Sequence, residues 1–127
     1  MELHIGITGV DEVEVTQANT AETVGSGTLP VFATPAMLAS MEKAAYASVL
    51  PYLDEGCGTV GILLNAEHLA ASPIGMHVRT ESERTEIDGR VLTFSVRSYA
   101  GGELIGKGIH KRCIINSGCK LKVGVPG

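Results

Sequence analysis

Hydrophobic positions change their period once along the chain. Residues 35–50, Pro-Ala-Met-Leu-Ala-Ser-Met-Glu-Lys-Ala-Ala-Tyr-Ala-Ser-Val-Leu, are apolar or small except for Glu42 and Lys43. The run predicts a helix with Thr34 as its N-cap and Pro35 as its first helical residue, where a fixed φ and a missing N–H do no harm. Pro51 disfavours its continuation. Sixteen residues make a rod of about 24 Å. A helix apolar nearly all the way round needs protein on every side, so this one is expected at the centre of the fold.

Beyond the helix the period becomes two. Residues 59–65 (Thr-Val-Gly-Ile-Leu-Leu-Asn) read as a buried strand, and over 74–80 Ile74, Met76 and Val78 alternate with Gly75, His77 and Arg79. Asp88-Gly89 signals a hairpin into residues 91–99, and Gly101-Gly102 a turn into a long returning strand over 104–115. Upstream, residues 2–15 alternate weakly and break at Gly9, which predicts an irregular strand or strand pair. Residues 18–30 are small, polar and glycine-containing, and predict a loop. Three or four antiparallel strands after a lone helix predict an α+β domain over residues 1–127, one curved sheet wrapped around the helix. Such a sheet leaves an edge and an open face, so pairing of two copies through the sheet is expected.

Composition narrows the function classes. Sixteen glycines in 127 residues are nearly twice the usual ~7%, in keeping with many turns and close backbone approaches. Ten basic against fourteen acidic side chains leave a net charge of −4, and aromatic residues make up 4%. That balance argues against a nucleic-acid partner, although a local basic patch could hold one anionic ligand. No apolar stretch approaches the ~18 residues of a membrane span, so no membrane partner is expected. The opening residues lack a secretion signal, and a cytoplasmic location is expected. Cys57, Cys113 and Cys119 match no disulfide framework or zinc spacing and are expected as reduced thiols. His4, His77 and His110 lie on different candidate strands with no ligand spacing, so neither a metal nor a cofactor is expected.

Three side chains stand out against this background. Glu42 lies among Leu38, Met41, Ala45 and Val49 on the helical wheel, where burial would raise its pKa and make it a base near neutral pH. An ion pair to a basic strand residue would explain it equally well. Thr34 places a hydroxyl at the positive end of a helix, where carbonyl oxygen charge can be stabilised, or simply caps that helix. His68 sits between a strand and a proline-marked loop. Near the end, Lys107 and Lys111 would share one strand face, His110 and Arg112 the other, and Arg112 could grip a phosphate by two prongs.

Taken together, residues 29–45 (Leu-Pro-Val-Phe-Ala-Thr-Pro-Ala-Met-Leu-Ala-Ser-Met-Glu-Lys-Ala-Ala), residues 59–76, the run Glu86-Ile-Asp-Gly-Arg-Val-Leu-Thr-Phe94 and the run Ile105-Gly-Lys-Gly-Ile-His-Lys-Arg-Cys113 resemble hotdog-fold thioesterases of the fluoroacetyl-CoA thioesterase-like group. The resemblance implies a hotdog fold, a homodimer able to pair into a dimer of dimers, and hydrolysis of a small acyl-CoA. It implies catalytic Thr34, Glu42 and His68 at the dimer interface. Coenzyme A would enter as part of the substrate, with Arg112 at its phosphates, Phe32 in an acyl pocket beside Leu29 and Val31, and an oxyanion received by backbone N–H groups at the helix start or near Gly61 or Gly75. Enoyl-thioester hydration and non-catalytic acyl-CoA binding are the alternatives. The fluoroacetyl-specific member carries a bulky aromatic lid before the helix. Residues 25–30 here, Gly-Ser-Gly-Thr-Leu-Pro, hold no aromatic, so fluoroacetyl selectivity is not implied.

Overall fold

A computed structural model describes residues 3–116. Five strands, β1 (Thr8–Glu14), β2 (Cys57–His68), β3 (His77–Asp88), β4 (Val91–Ala100) and β5 (Glu103–Asn116), form one sheet in the order β1-β3-β4-β5-β2. Every neighbouring pair is antiparallel. Between β1 and β2 come a one-turn helix α1 (Ala21–Val24) and the long helix α2 (Thr34–Val49), which packs against all five strands. Met37, Met41, Ala45 and Val49 of α2 meet Val78, Leu92, Phe94, Val96, Ala100 and Ile105 in the core. This is the hotdog architecture, a curled antiparallel sheet around one long helix.

The two hairpins form where the glycine pairs place them. Gly89 closes β3–β4 at φ +62°, and Gly101-Gly102 closes β4–β5 with both φ positive, conformations that glycine adopts without steric cost. Gly9, by contrast, breaks nothing, because β1 runs straight through it. A Cβ there would collide with the Ala44 carbonyl oxygen and lie 2.9 Å from Ser48 Cβ. The glycine therefore lets the helix backbone touch the sheet. Nearby, Ser40 Oγ donates to Asp11 Oδ2 at 2.8 Å and lies 2.9 Å from Thr80 Oγ1, tying the middle of α2 to β1 and β3. The buried Arg84 donates to the Ser48 carbonyl at 3.0 Å, satisfying an acceptor at the C-terminal end of α2.

Four further expectations change. Residues 18–30 are not all loop: a 3₁₀ turn (Gln17–Asn19) and α1 occupy part of them, the latter closed by Gly25 at φ +90°. The strand expected from residue 74 begins at His77, because Gly75 turns the chain at φ +100°. It then continues to Asp88 through charged residues that alternate with Thr80, Ser82 and Arg84 facing inward. The strand expected to be buried at 59–65 belongs to the edge strand β2, where Ile62 and Leu63 are 38% and 45% exposed. Lastly, α2 is not enclosed within one chain. Pro35, Ala39, Lys43 and Ala47 form an exposed stripe at four-residue spacing.

Candidate active site

The start of α2 is built differently from an ordinary capped helix. Ala33, extended at φ −72° and ψ 140°, occupies the N-cap position, and Thr34 is the first helical residue. The Thr34 hydroxyl is therefore not spent on a helical N–H. It lies 2.8 Å from Nδ1 of His68, the last residue of β2. Phe32, buried one residue before the N-cap, sets its ring edge-on to the imidazole with centroids 6.4 Å apart. Phe32 is itself pinned where its N–H donates to the Ser72 carbonyl at 2.8 Å.

Thr34, Phe32 and His68 open onto a cleft of about 300 Å³ whose other walls include Val31, Ala70 and Ala71. Burial pushes the His68 pKa below its ordinary value, while the Ala70 backbone works against it at a geometry short of a hydrogen bond. A ring kept neutral can take a proton from a hydroxyl or from water. With Nδ1 as acceptor, Thr34 Oγ is the donor and gains nucleophilic character.

Glu42 lies elsewhere. It stands eight residues along α2 from Thr34, about 12 Å of helical rise. Its Oε2 accepts from Arg112 Nη1 at 3.1 Å, and its side chain is 44% exposed. Of the two readings of Glu42, the structure shows the ion pair to a basic strand residue, at the rim, and not the greasy seat. The reason lies in the strand opposite: Gly61 faces Arg112 across β2–β5 and offers no side chain to cover the carboxylate.

Arg112 also departs from expectation. Its side chain is 8% exposed. Besides Glu42, it donates from Nε to Thr59 Oγ1 (2.8 Å), from Nη2 to the Thr59 carbonyl (3.1 Å) and from Nη1 to His110 Nε2 (3.1 Å). The Tyr46 ring lies 5.4 Å from the guanidinium carbon. A guanidinium with four donors engaged and almost no exposed surface is not placed to grip coenzyme A phosphates. Gly75 also leaves the expected set, since its N–H donates to the Val15 carbonyl at 2.8 Å and cannot receive an oxyanion.

The fold thus gathers two clusters. Thr34, His68 and Phe32 meet at one end of α2, and Glu42, Arg112 and Gly61 meet further along it. Thr59, Tyr46 and His110, absent from the expected set, complete the second group. The alternation that puts His110 on the Arg112 face was the sequence signal for its inclusion.

Comparison with known proteins places the chain in a family. A family model described as fluoroacetyl-CoA-specific thioesterase matches residues 15–118. The fluoroacetyl-CoA thioesterase of Streptantibioticus cattleyicolor is 37% identical over 86 residues, 68% of this chain and 62% of that protein. The chain therefore spans less than two thirds of that relative's length. Among solved structures, a phenylalanine-to-alanine mutant of the fluoroacetyl-CoA-specific thioesterase FlK, in complex with fluoroacetate and CoA, is 29% identical with a TM-score of 0.85, covering 91% of this chain and 97% of that one. A Thermus thermophilus thioesterase superfamily member is 32% identical with a TM-score of 0.84, covering 91% and 85%. This chain belongs to the fluoroacetyl-CoA-specific thioesterase family.

Proposed function

We propose that the protein hydrolyses a small acyl-CoA thioester, and that each active site joins Thr34 and His68 of one copy to Glu42 of a second. The Thr34–His68 hydrogen bond at the mouth of an apolar cleft is the observation that carries the reading. The acyl group would enter beside Phe32, and the carbonyl would meet the unpaired N–H groups at the start of α2, which can receive an oxyanion. Glu42 would take a proton from water as it attacks the carbonyl carbon, or attack that carbon itself. Collapse of the tetrahedral intermediate breaks the C–S bond, and the departing sulfur receives a proton through His68. Where Glu42 has itself attacked, water then cleaves the acyl–Glu42 anhydride, gives its proton back to His68 and restores the carboxylate. Free acid and coenzyme A thiol are the products.

The exposed small residues Pro35, Ala39 and Ala47 of α2, which flank Lys43, and the apolar edge of β2 support a homodimer. Two α2 helices crossing antiparallel near Leu38 would set Glu42 of one copy opposite Thr34 of the other, because 38 lies midway between 34 and 42. Covering the stripe and the Ile62–Leu63 edge would also remove apolar surface from water.

Release of coenzyme A thiol from a panel of short acyl-CoAs tests the activity. Thr34→Ala, Glu42→Gln and His68→Ala should each lower kcat by at least about 10²-fold while remaining folded. Full activity in Glu42→Gln would overturn its role. Mixing Thr34→Ala with Glu42→Gln tests the sharing: a shared site leaves the mixed dimer one intact centre, and activity returns. No recovery in a dimer shown to be mixed would place all three groups within one copy.

A further inference from the structure

We infer that His110, neutral and protonated on Nδ1, is a positioning residue that orients the Glu42 carboxylate through Arg112; this rests on the reading of Glu42 as the reacting carboxylate. His110 is fully buried. Its Nδ1 lies 2.7 Å from the Leu63 carbonyl oxygen, which can only accept, so Nδ1 carries the proton. In the neutral ring Nε2 is then a lone-pair acceptor, and Arg112 Nη1 donates to it at 3.1 Å. The other Nη1 hydrogen is directed to Glu42 Oε2, also at 3.1 Å. One nitrogen thus divides its two hydrogens between the imidazole and the carboxylate, and the ring fixes the plane in which the guanidinium meets Glu42.

The surroundings keep the ring uncharged. Burial lowers the His110 pKa most, and the neighbouring Arg112 charge lowers it further, while the Leu63 carbonyl and Glu42 oppose. Arg112 on its own strand and Glu42 on α2 are the charged groups facing it. From β4 it meets the Phe94 ring at 6.1 Å, and from β2 the approach is made by Gly61. A proton on Nε2 would confront the Arg112 N–H and break the arrangement. The Leu63 carbonyl sits at the irregularity of β2 between Gly61 and Leu63. His110 therefore links the sheet edge to the carboxylate.

Replacement by Gln, Asn and Leu separates this role from packing. Gln can keep an acceptor for Arg112, Asn can keep only the donor to Leu63, and Leu keeps neither. On an acyl-CoA that the unmodified protein hydrolyses, His110→Gln should hold kcat within about threefold. His110→Asn and His110→Leu should lose about 10- to 100-fold in kcat with KM nearly unchanged, the scale of a lost hydrogen bond to a charged group. The Arg112 Nε–H resonance should keep its position in the Gln variant and shift or broaden in the other two. Equal losses in Gln and Asn, or losses that follow Tm, would overturn the inference. If the Leu variant fails to fold, the two amide variants carry the comparison. If the unmodified protein hydrolyses no acyl-CoA, the functional reading fails by itself. The Arg112 resonance and the Glu42 carboxyl carbon shift across the same variants then decide the positioning alone.

Discussion

Gly61→Ala should damage activity far more than stability. A Cβ at this position would lie 2.6 Å from Glu42 Oε2 and 3.3 Å from both Arg112 Nη1 and His110 Cε1. Unbonded heavy atoms settle at about 3.5 Å or more, so the carboxylate must retreat by about 1 Å. It can do so cheaply, because it ends a flexible side chain that is 44% exposed. A half-exposed ion pair contributes at most about 1 kcal/mol after solvent screening. Loss of glycine freedom in the unfolded chain returns about 0.4–1 kcal/mol where the backbone suits alanine, and Gly61 is not among the positive-φ glycines. The net change in stability should thus stay within about 1 kcal/mol, a few degrees in Tm. A reacting group displaced by 1 Å can cost about 10²-fold in rate. Thiol release under saturating acyl-CoA, beside a thermal melt, measures both quantities. A variant that keeps kcat within about threefold would refute the idea that the position of Glu42 beside Arg112 is set by the missing side chain.

Gly9→Ala should do the reverse, since its Cβ would strike the Ala44 carbonyl on the helix backbone, which cannot swing aside. Overpacking of this kind should cost about 2 kcal/mol or more and lower Tm by roughly 8 °C or more, with activity per folded molecule preserved; an unchanged melt would contradict the close helix–sheet contact. Stability should also fall on acidification. Burial depresses the folded-state pKa of His68 and His110 below the unfolded value of 6.5, so the unfolded chain binds more protons between those limits. The contribution is present above about pH 6.5 and is lost as pH falls toward the folded pKa values. Melts from pH 7.5 to 5 check this, and a His110→Gln variant should show a shallower decline. A Tm that rises on acidification in the unmodified protein, with the same slope in the variant, would remove these imidazoles as the cause.

The sheet and helix were legible because their signals are local. A sixteen-residue apolar run between Thr34 and Pro51, two glycine-marked hairpins and the alternation through β4 each fix a conformation without reference to distant residues. What failed were statements about covering. Residues 59–65 are apolar on both faces, a pattern that a central strand shares with an edge strand awaiting a partner. The same ambiguity attends α2, whose exposed stripe of Pro35, Ala39 and Ala47 looks like core when read along one chain. Gly9 was misread for a related reason. Glycine in a strand marks a break or a close approach with equal force, and the close approach needs Ala44 and Ser48, both more than thirty residues away.

Charge placement depended even more on distant contacts. Helical-wheel position puts Glu42 beside apolar neighbours, but its actual environment is set by Arg112, seventy residues on, and by the absence of a side chain at Gly61. Once those two residues flank the carboxylate, an ion pair at the rim is better than a desolvated acid in the core, since an unpaired buried charge is far more costly than a paired one. The same contact reassigns Arg112. A phosphate grip requires a guanidinium with free donors facing solvent, and here Glu42, Thr59 and His110 take four of them first. Family resemblance names Thr34, Glu42 and His68 as one set, while the geometry separates the hydroxyl–imidazole pair from the carboxylate by two turns of one helix. On the proposed reading, chemistry that needs all three would draw on a second copy of the chain, with the exposed stripe of α2 and the edge of β2 as the surfaces it would cover.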